Sequence, residues 1–257
     1  MSVYDLAGRK ALVTGGARGL GAGMAEALAR EGAAVIIGDV QEDLGKATAD
    51  ALRQSGAAAE FVPLDVTDDA SWDQAVAQAI SVLGGLDILV NNAGIEISSP
   101  LLQQSTESFD KIFAVNVRGP FVAMKAAIPH LIASKGNIVN IASIAGVGGS
   151  PLLGSYCATK AALIQLTRVA AVEMRAAGVR VNAVCPGFAD TAMVARLVPG
   201  FEAATQIPFG DLVAMKQGRL GTPEEIAEVA AFLASDRASW VTGSHYILDG
   251  GLTASLV

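Results

Sequence analysis

The sequence is short of the residues that many reaction chemistries rely on. Its 257 residues include only two cysteines and two histidines. Cys157 and Cys185 lack metal-type spacing, and a disulfide between them is not expected in a reducing compartment. Cys157 could be read as a nucleophile, but a small buried residue is the plainer reading. His130 and His245 stand in no motif that ties them to a nucleophile or a metal, so no metal site is predicted. The G-x-S-x-G elbow of serine hydrolases is also missing, because Ser143 lies in Ala-Ser-Ile-Ala-Gly. Basic residues are outnumbered, 18 against 25 acidic ones, and the net charge of −7 argues against a nucleic-acid partner. Mean hydropathy is positive. Even so, no apolar run approaches the ~20 residues of a membrane-spanning helix. The start, MSVYDLAGRK, has no hydrophobic signal core, so a cytoplasmic protein is expected.

The chain is 52% hydrophobic and 17% charged, with 28 glycines. This suits a compact α/β protein, and the length suits one domain with an ample core. Short apolar runs at 10–15, 33–39, 61–66, 86–94, 136–143, 179–187 and 245–251 read as strands. Between them lie helical patterns: Leu20 to about Glu31, a second to about Ser55, Asp69 to Leu83, 105–134 and 156–177. A short helix follows Pro223, with Thr222 as N-cap and Glu225 at the capping-box position. Continuously apolar strands alternating with helices predict a doubly wound parallel sheet of the Rossmann type, covered on both faces. No linker-like shift in composition divides residues 1–257. The stretch 188–221, with Pro199, Pro208 and several glycines, reads as an irregular candidate substrate loop.

The first strand runs into Thr14-Gly15-Gly16-Ala17-Arg18-Gly19-Leu20-Gly21, with Gly15, Gly19 and Gly21 spaced G-x-x-x-G-x-G. Glycine there permits a tight turn, close approach of a pyrophosphate and close helix–sheet packing. The following helix aims free N–H groups and its positive dipole end at the same point. Placed between a strand and a helix, the loop predicts a dinucleotide site. Asp39 ends the second strand, 18 residues after Gly21. A carboxylate there accepts ribose hydroxyls and repels a 2′-phosphate, and Val40 offers no compensating charge, so NAD(H) is predicted over NADP(H). A turn aspartate at a strand end is the plainer alternative, and Arg18 could reach a phosphate. Asp65-Val66 follows the third strand, where a carboxylate could accept from an adenine amine. Asn91-Asn92-Ala93-Gly94 follows the fourth. All lie where parallel sheets bind ligands, beyond the carboxyl ends of strands.

Tyr156 and Lys160 are four residues apart in YCATK and project together on a helix, with Ser143 just upstream. An ammonium beside a phenol favours its ionised form; lowering a pKa of about 10 by roughly 2–3 units corresponds to about 3–4 kcal/mol. The pair then becomes an acid–base group usable near neutral pH.

The ordered set of TGGARGLG, Asp65, NNAG, Asn116, Ser143, YCATK, Pro186-Gly187 with Thr191, and the terminal LDGG closely resembles the short-chain dehydrogenase/reductase family, of the single-domain kind of about 250 residues. The resemblance runs from about Leu6 to Leu252. It implies about seven strands in the order 3-2-1-4-5-6-7. It also implies that Tyr156 is the general acid–base, that Lys160 lowers its pKa and holds the nicotinamide ribose, and that Ser143 binds the substrate oxygen. Asn116 would help hold a water in a relay to Lys160, a role that depends on a local helix distortion. Asn92, Ala93 and Gly94 would line the adenosine-ribose side, Pro186 and Gly187 the nicotinamide ring, and Thr191 its carboxamide. A homotetramer is implied, with the 105–134 and 156–177 helices at one interface.

The expected activity is NAD(H)-dependent interconversion of a secondary alcohol and a ketone. Ile95, Ile97, Leu101, Met193, Leu197, Phe201, Phe209, Leu212 and Met215 suggest a largely apolar pocket, with Glu96, Arg196 and Lys216 as nearby charges. Two other readings stay open: an NADP(H)-dependent 3-oxoacyl reductase of the same fold, and a non-catalytic NAD-sensing protein.

Overall fold

The computed structural model describes residues 3–254. The strands are β1 (Lys10–Thr14), β2 (Ala34–Asp39), β3 (Ala59–Pro63), β4 (Ile88–Asn91), β5 (Asn137–Ile141), β6 (Arg180–Pro186) and β7 (His245–Leu248). They form one sheet in the order β3-β2-β1-β4-β5-β6-β7, with every adjacent pair parallel. The α-helices are α1 (Gly19–Arg30), α2 (Glu42–Gln54), α3 (Asp69–Leu83), α4 (Thr106–Phe113), α5 (Gly119–Ser134), α6 (Gly154–Met174), α7 (Ala192–Thr205), α8 (Phe209–Lys216) and α9 (Pro223–Ala234).

Strand side chains alternate between two cores, as a pleated sheet requires. In β1, Ala11 and Val13 join a cluster with Met24 and Leu28 of α1, Leu52 of α2 and Ile226 of α9. Leu12 between them faces the opposite cluster, with Trp72 of α3, Met124 and Leu131 of α5 and Ala171 of α6. This burial on both faces explains why the strands read as unbroken apolar runs. It also makes the carboxyl edge of the sheet the place where loops emerge. The glycine loop follows β1, Asp39 closes β2, Asp65 follows β3, Asn92 follows β4, Ser143 follows β5 and Gly187 follows β6.

Two expectations change. The 105–134 segment is not one helix: a π turn at Ala114–Arg118 separates α4 from α5, with Gly119 N–H donating to the Ala114 carbonyl. The 188–221 stretch is mostly helical rather than irregular. Thr191 caps α7 by accepting from Val194 N–H at 3.3 Å, and α7 carries Pro199 in its interior. Helix α9 bears the predicted capping box between Thr222 and Glu225, and it extends to Ala234. Among the described residues, no helix is long and apolar enough to cross a membrane. No group of three or more His, Cys, Asp or Glu among them is placed to hold a metal ion.

Candidate active site

A cleft of about 1400 Å³ opens along the carboxyl edge of the sheet. Gly15, Arg18, Gly19, Leu20, Gly21, Asp39, Asp65 and Val66 line one part of it. Asn92, Ala93, Gly94, Ser143, Tyr156, Lys160, Pro186, Gly187 and Thr191 line the rest. Asn116 is buried behind the wall.

The glycine loop is shaped by neighbours that sequence alone does not reveal. Gly15 has φ +62, and a side chain there would meet the Ala93 Cα at 2.8 Å; one at Gly21 would overlap the Gly15 carbonyl. Asn92 holds this packing by donating its Nδ2 to the carbonyls of Thr14 (2.9 Å) and Gly15 (3.0 Å). Asn92 therefore braces the loop, as well as bordering the cleft. Thr14 Oγ1 accepts from Asn92 N–H and Ala93 N–H, each at 3.0 Å, so β1 and β4 fix one corner. Gly19 shares a positive φ, +56, with Gly15, but nothing lies within 4 Å of where a side chain would begin. Helix α1 has no side-chain N-cap and no acidic residue in its first turn. The open backbone at Gly19 and the uncapped amides fit a pyrophosphate group.

Asp39 is buried at the end of β2. Its Oδ2 accepts from Ala17 N–H at 3.0 Å and its Oδ1 from Gln41 N–H at 2.9 Å, which fixes the carboxylate at the cleft. Asp65 is exposed and accepts from the Thr67 backbone and hydroxyl through Oδ1.

Lys160 and Tyr156 rise from the first turns of α6. The Lys160 ammonium is buried, donates to the Ile141 carbonyl at 2.8 Å, and lies 5.6 Å from the centre of the Tyr156 ring. Burial lowers the ammonium from 10.5 to about 8. Burial also pushes the Tyr156 phenol up to about 12; the Ser143 hydroxyl pulls it down, and the charge of Glu96 adds to the rise. The direction is opposite to the one expected from a cation beside a phenol. Desolvation sets the direction, while the Lys160 head is bonded to the Ile141 carbonyl. Near neutral pH Tyr156 thus holds its proton and Lys160 is charged. Ser143 accepts from Ala145 N–H at 3.1 Å, which orients its hydroxyl at the mouth of the β5 exit.

Asn116 sits in the π turn. Its Oδ1 accepts from Ile95 N–H at 2.9 Å. Its Nδ2 donates to the Ile95 carbonyl at 2.8 Å and to Thr159 Oγ1 at 3.1 Å. In this structure the carboxamide fastens the loop after β4 to α6, the helix that carries Tyr156 and Lys160. Gly187 owes its lack of a side chain to protein packing: a Cβ there would lie 2.6 Å from Gln217 Oε1 and 2.9 Å from Asp249 Cα.

Gln217 was not legible as a site residue. Buried after α8, it accepts from Phe188 N–H at 2.9 Å and donates to the carbonyls of Phe188 and Arg219, each at 2.7 Å. Its sequence context, Lys216-Gln217-Gly218, carries no signal that marks it. The Glu96–Arg196 ion pair, at 3.1 Å, likewise joins two residues a hundred positions apart.

A family model described as Enoyl-(Acyl carrier protein) reductase matches residues 15–253. The 2,5-dichloro-2,5-cyclohexadiene-1,4-diol dehydrogenase of Sphingobium indicum is 44% identical over 249 residues, covering 96% of each chain. A short-chain type dehydrogenase/reductase from Mycobacterium marinum superposes with a TM-score of 0.91 at 33% identity, covering 99% of each chain. A gluconate 5-dehydrogenase from Burkholderia cenocepacia, solved in complex with NADP and tartrate, gives a TM-score of 0.92 at 33% identity and the same coverage. With this matched length, sheet order and set of motifs, the chain belongs to the short-chain dehydrogenase/reductase family.

Proposed function

We propose that the protein is an NAD(H)-dependent oxidoreductase that interconverts a secondary alcohol and a ketone, with Tyr156 as the general acid–base. The observation that carries the reading is that Ser143, Tyr156 and Lys160 share one continuous cleft with the open glycine loop and the fixed carboxylate of Asp39. A bound nicotinamide would supply the hydride chemistry. The glycine loop, with the amides of α1, would hold the pyrophosphate, Asp39 the adenosine ribose and Lys160 the other ribose. Ser143 would bind the substrate oxygen. Tyr156, which keeps its proton near neutral pH, would give it to that oxygen as a carbonyl is reduced. In the oxidation direction Tyr156 must first lose its proton and then, as phenolate, take the one from the alcohol; Lys160 is the nearby charge that favours the phenolate. Asn116 is a positioning residue for both, through Ile95 and Thr159.

The lining of Ile95, Leu153, Met193, Leu197, Phe201 and Leu212 favours a largely apolar substrate. A small cyclic alcohol matches both this lining and the ring diol named for the Sphingobium relative. A cytoplasmic homotetramer belongs to the same proposal. It is supported by exposed Phe109 and Phe121 on α4 and α5 and exposed Val169 and Val172 on α6. One observation favours NADP(H): Arg18 lines the cleft beside Asp39 and Gln41. A fixed carboxylate weighs more, because a 2′-phosphate would have to displace it or sit against it.

The test is a panel of secondary alcohols followed by absorbance of the reduced cofactor, with NAD and with NADP. Wild-type protein should turn over ring alcohols with NAD. Asp39→Ser should weaken NAD binding on the order of tenfold or more, as loss of a charge-assisted pair does, while leaving NADP little changed or improved. A wild-type preference for NADP would refute the assignment of Asp39.

A further inference from the structure

We infer that Glu96 and Arg196 act as a charge gate that makes the substrate pocket select neutral alcohols bearing a second, remote hydroxyl or carbonyl over anionic ones. The inference rests on the alcohol–ketone reading and names its substrate class. Glu96 lies two residues beyond Gly94, and Arg196 reaches it from α7. Their side chains are 10% and 53% exposed, and Arg196 Nη2 lies 3.1 Å from Glu96 Oε2. Both line the cleft, among Ile95, Leu153, Met193 and Leu197. The charge of Glu96 is felt at the Tyr156 phenol, which places the pair within electrostatic reach of the reacting oxygen.

In an apolar pocket, a few placed polar groups set specificity. A substrate carboxylate that took a free N–H of the half-exposed Arg196 would lie against the nearly buried Glu96 carboxylate, and that like-charge contact is unfavourable. A hydroxyl donates to the carboxylate and a carbonyl accepts from the guanidinium, and neither breaks the ion pair. Lys216 and Asp190 are further charges on the cleft. Lys216 and Lys111, which also line the cleft, could attract an anion too, and loss of the gain in the double variant separates them from Arg196.

The experiment compares kcat/KM for cyclohexanol, cyclohexane-1,4-diol and 4-hydroxycyclohexanecarboxylate in wild type, Glu96→Gln, Arg196→Gln and the double variant. Thermal unfolding confirms that each variant is folded. Wild type should prefer the diol and disfavour the hydroxy acid. In Glu96→Gln the hydroxy-acid rate relative to cyclohexanol should rise on the order of tenfold, the size expected when a repulsive element is removed. The diol advantage should shrink several-fold, and the phenol's apparent pKa in the pH profile should fall. The double variant should lose the gain for the hydroxy acid. Arg196→Gln alone should lower hydroxy-acid turnover further, and it keeps the question answerable should Glu96→Gln not fold. Equal changes for all three substrates, or a hydroxy-acid gain that survives in the double variant, overturn the gate. Turnover of none of the three by wild type, with NAD or NADP, overturns the alcohol–ketone reading and the gate with it.

Discussion

Lys160→Met tests the electrostatics of the site without needing a substrate. The ammonium is buried and held near 8, against about 10.5 in an unfolded chain. Where a native pKa is depressed, the unfolded chain binds more protons between the two values, so stability rises with pH across that window. For Lys160 the window runs from about 8 to about 10.5. The linkage relation gives a rise in stability on the order of 2 kcal/mol between pH 7 and pH 9.5. Methionine keeps the length and apolar stem of lysine but carries no charge, so this rise should vanish from the variant. At pH 7 the variant also escapes a desolvation penalty of about 3 kcal/mol. It loses the bond to the Ile141 carbonyl, and an unpaired buried acceptor costs about 1–3 kcal/mol. The net change at pH 7 is therefore small, whereas the difference in pH slope is large. Urea unfolding of the cofactor-free protein at half-unit steps from pH 7 to 9.5 reads it directly. Parallel curves for wild type and Lys160→Met would show that Lys160 is not desolvated as described. The window stops below the point where the raised phenol of Tyr156 begins to contribute, with stability lost as pH climbs toward 12.

Two further outcomes follow from packing. Gly21→Ala forces a methyl into the Gly15 carbonyl. It should cost about 1–3 kcal/mol in urea unfolding, as overpacking does, and weaken NADH binding in fluorescence titration more than Gly23→Ala, whose added Cβ meets Pro223 only at 3.4 Å. Gln217→Ala removes three bonds to Phe188 and Arg219. It should loosen the Gly187–Phe188 turn and so weaken NADH binding and raise KM for the alcohol, each several-fold, since each lost bond to the loop is worth about 1 kcal/mol.

Much of the site was legible because its signals are positional. Asp39 closes an apolar run at the strand end, and the glycines sit between a strand and a helix; both facts hold in one dimension. Tyr156 and Lys160 share a face by helical spacing alone. What was not legible depends on the third dimension. Pro199 and the nearby glycines read as helix breakers, yet α7 forms around Pro199 with Thr191 as its cap. The π turn at Ala114–Arg118 leaves no periodicity signal, because one inserted residue shifts the apolar pattern only locally; the family resemblance alone implied a helix distortion at Asn116. Asn92 read as a ligand contact, and the fold adds the role of a brace between two strands. Gly187 read as making room for a ring, and a side chain there would strike Gln217 and Asp249. The Tyr156 phenol is raised rather than lowered because desolvation is set by neighbours distant in sequence.

The central claim is that Tyr156 moves the proton while the rest of the cleft holds the cofactor. Tyr156→Phe removes one hydroxyl and keeps the ring that fills the site, so single-turnover kinetics and NADH titration on this variant test the claim most directly. NADH affinity should stay within about twofold of wild type, and turnover should fall on the order of 10²–10⁴, the range of general acid–base catalysis. Turnover within a few-fold of wild type, with binding intact, would contradict the account.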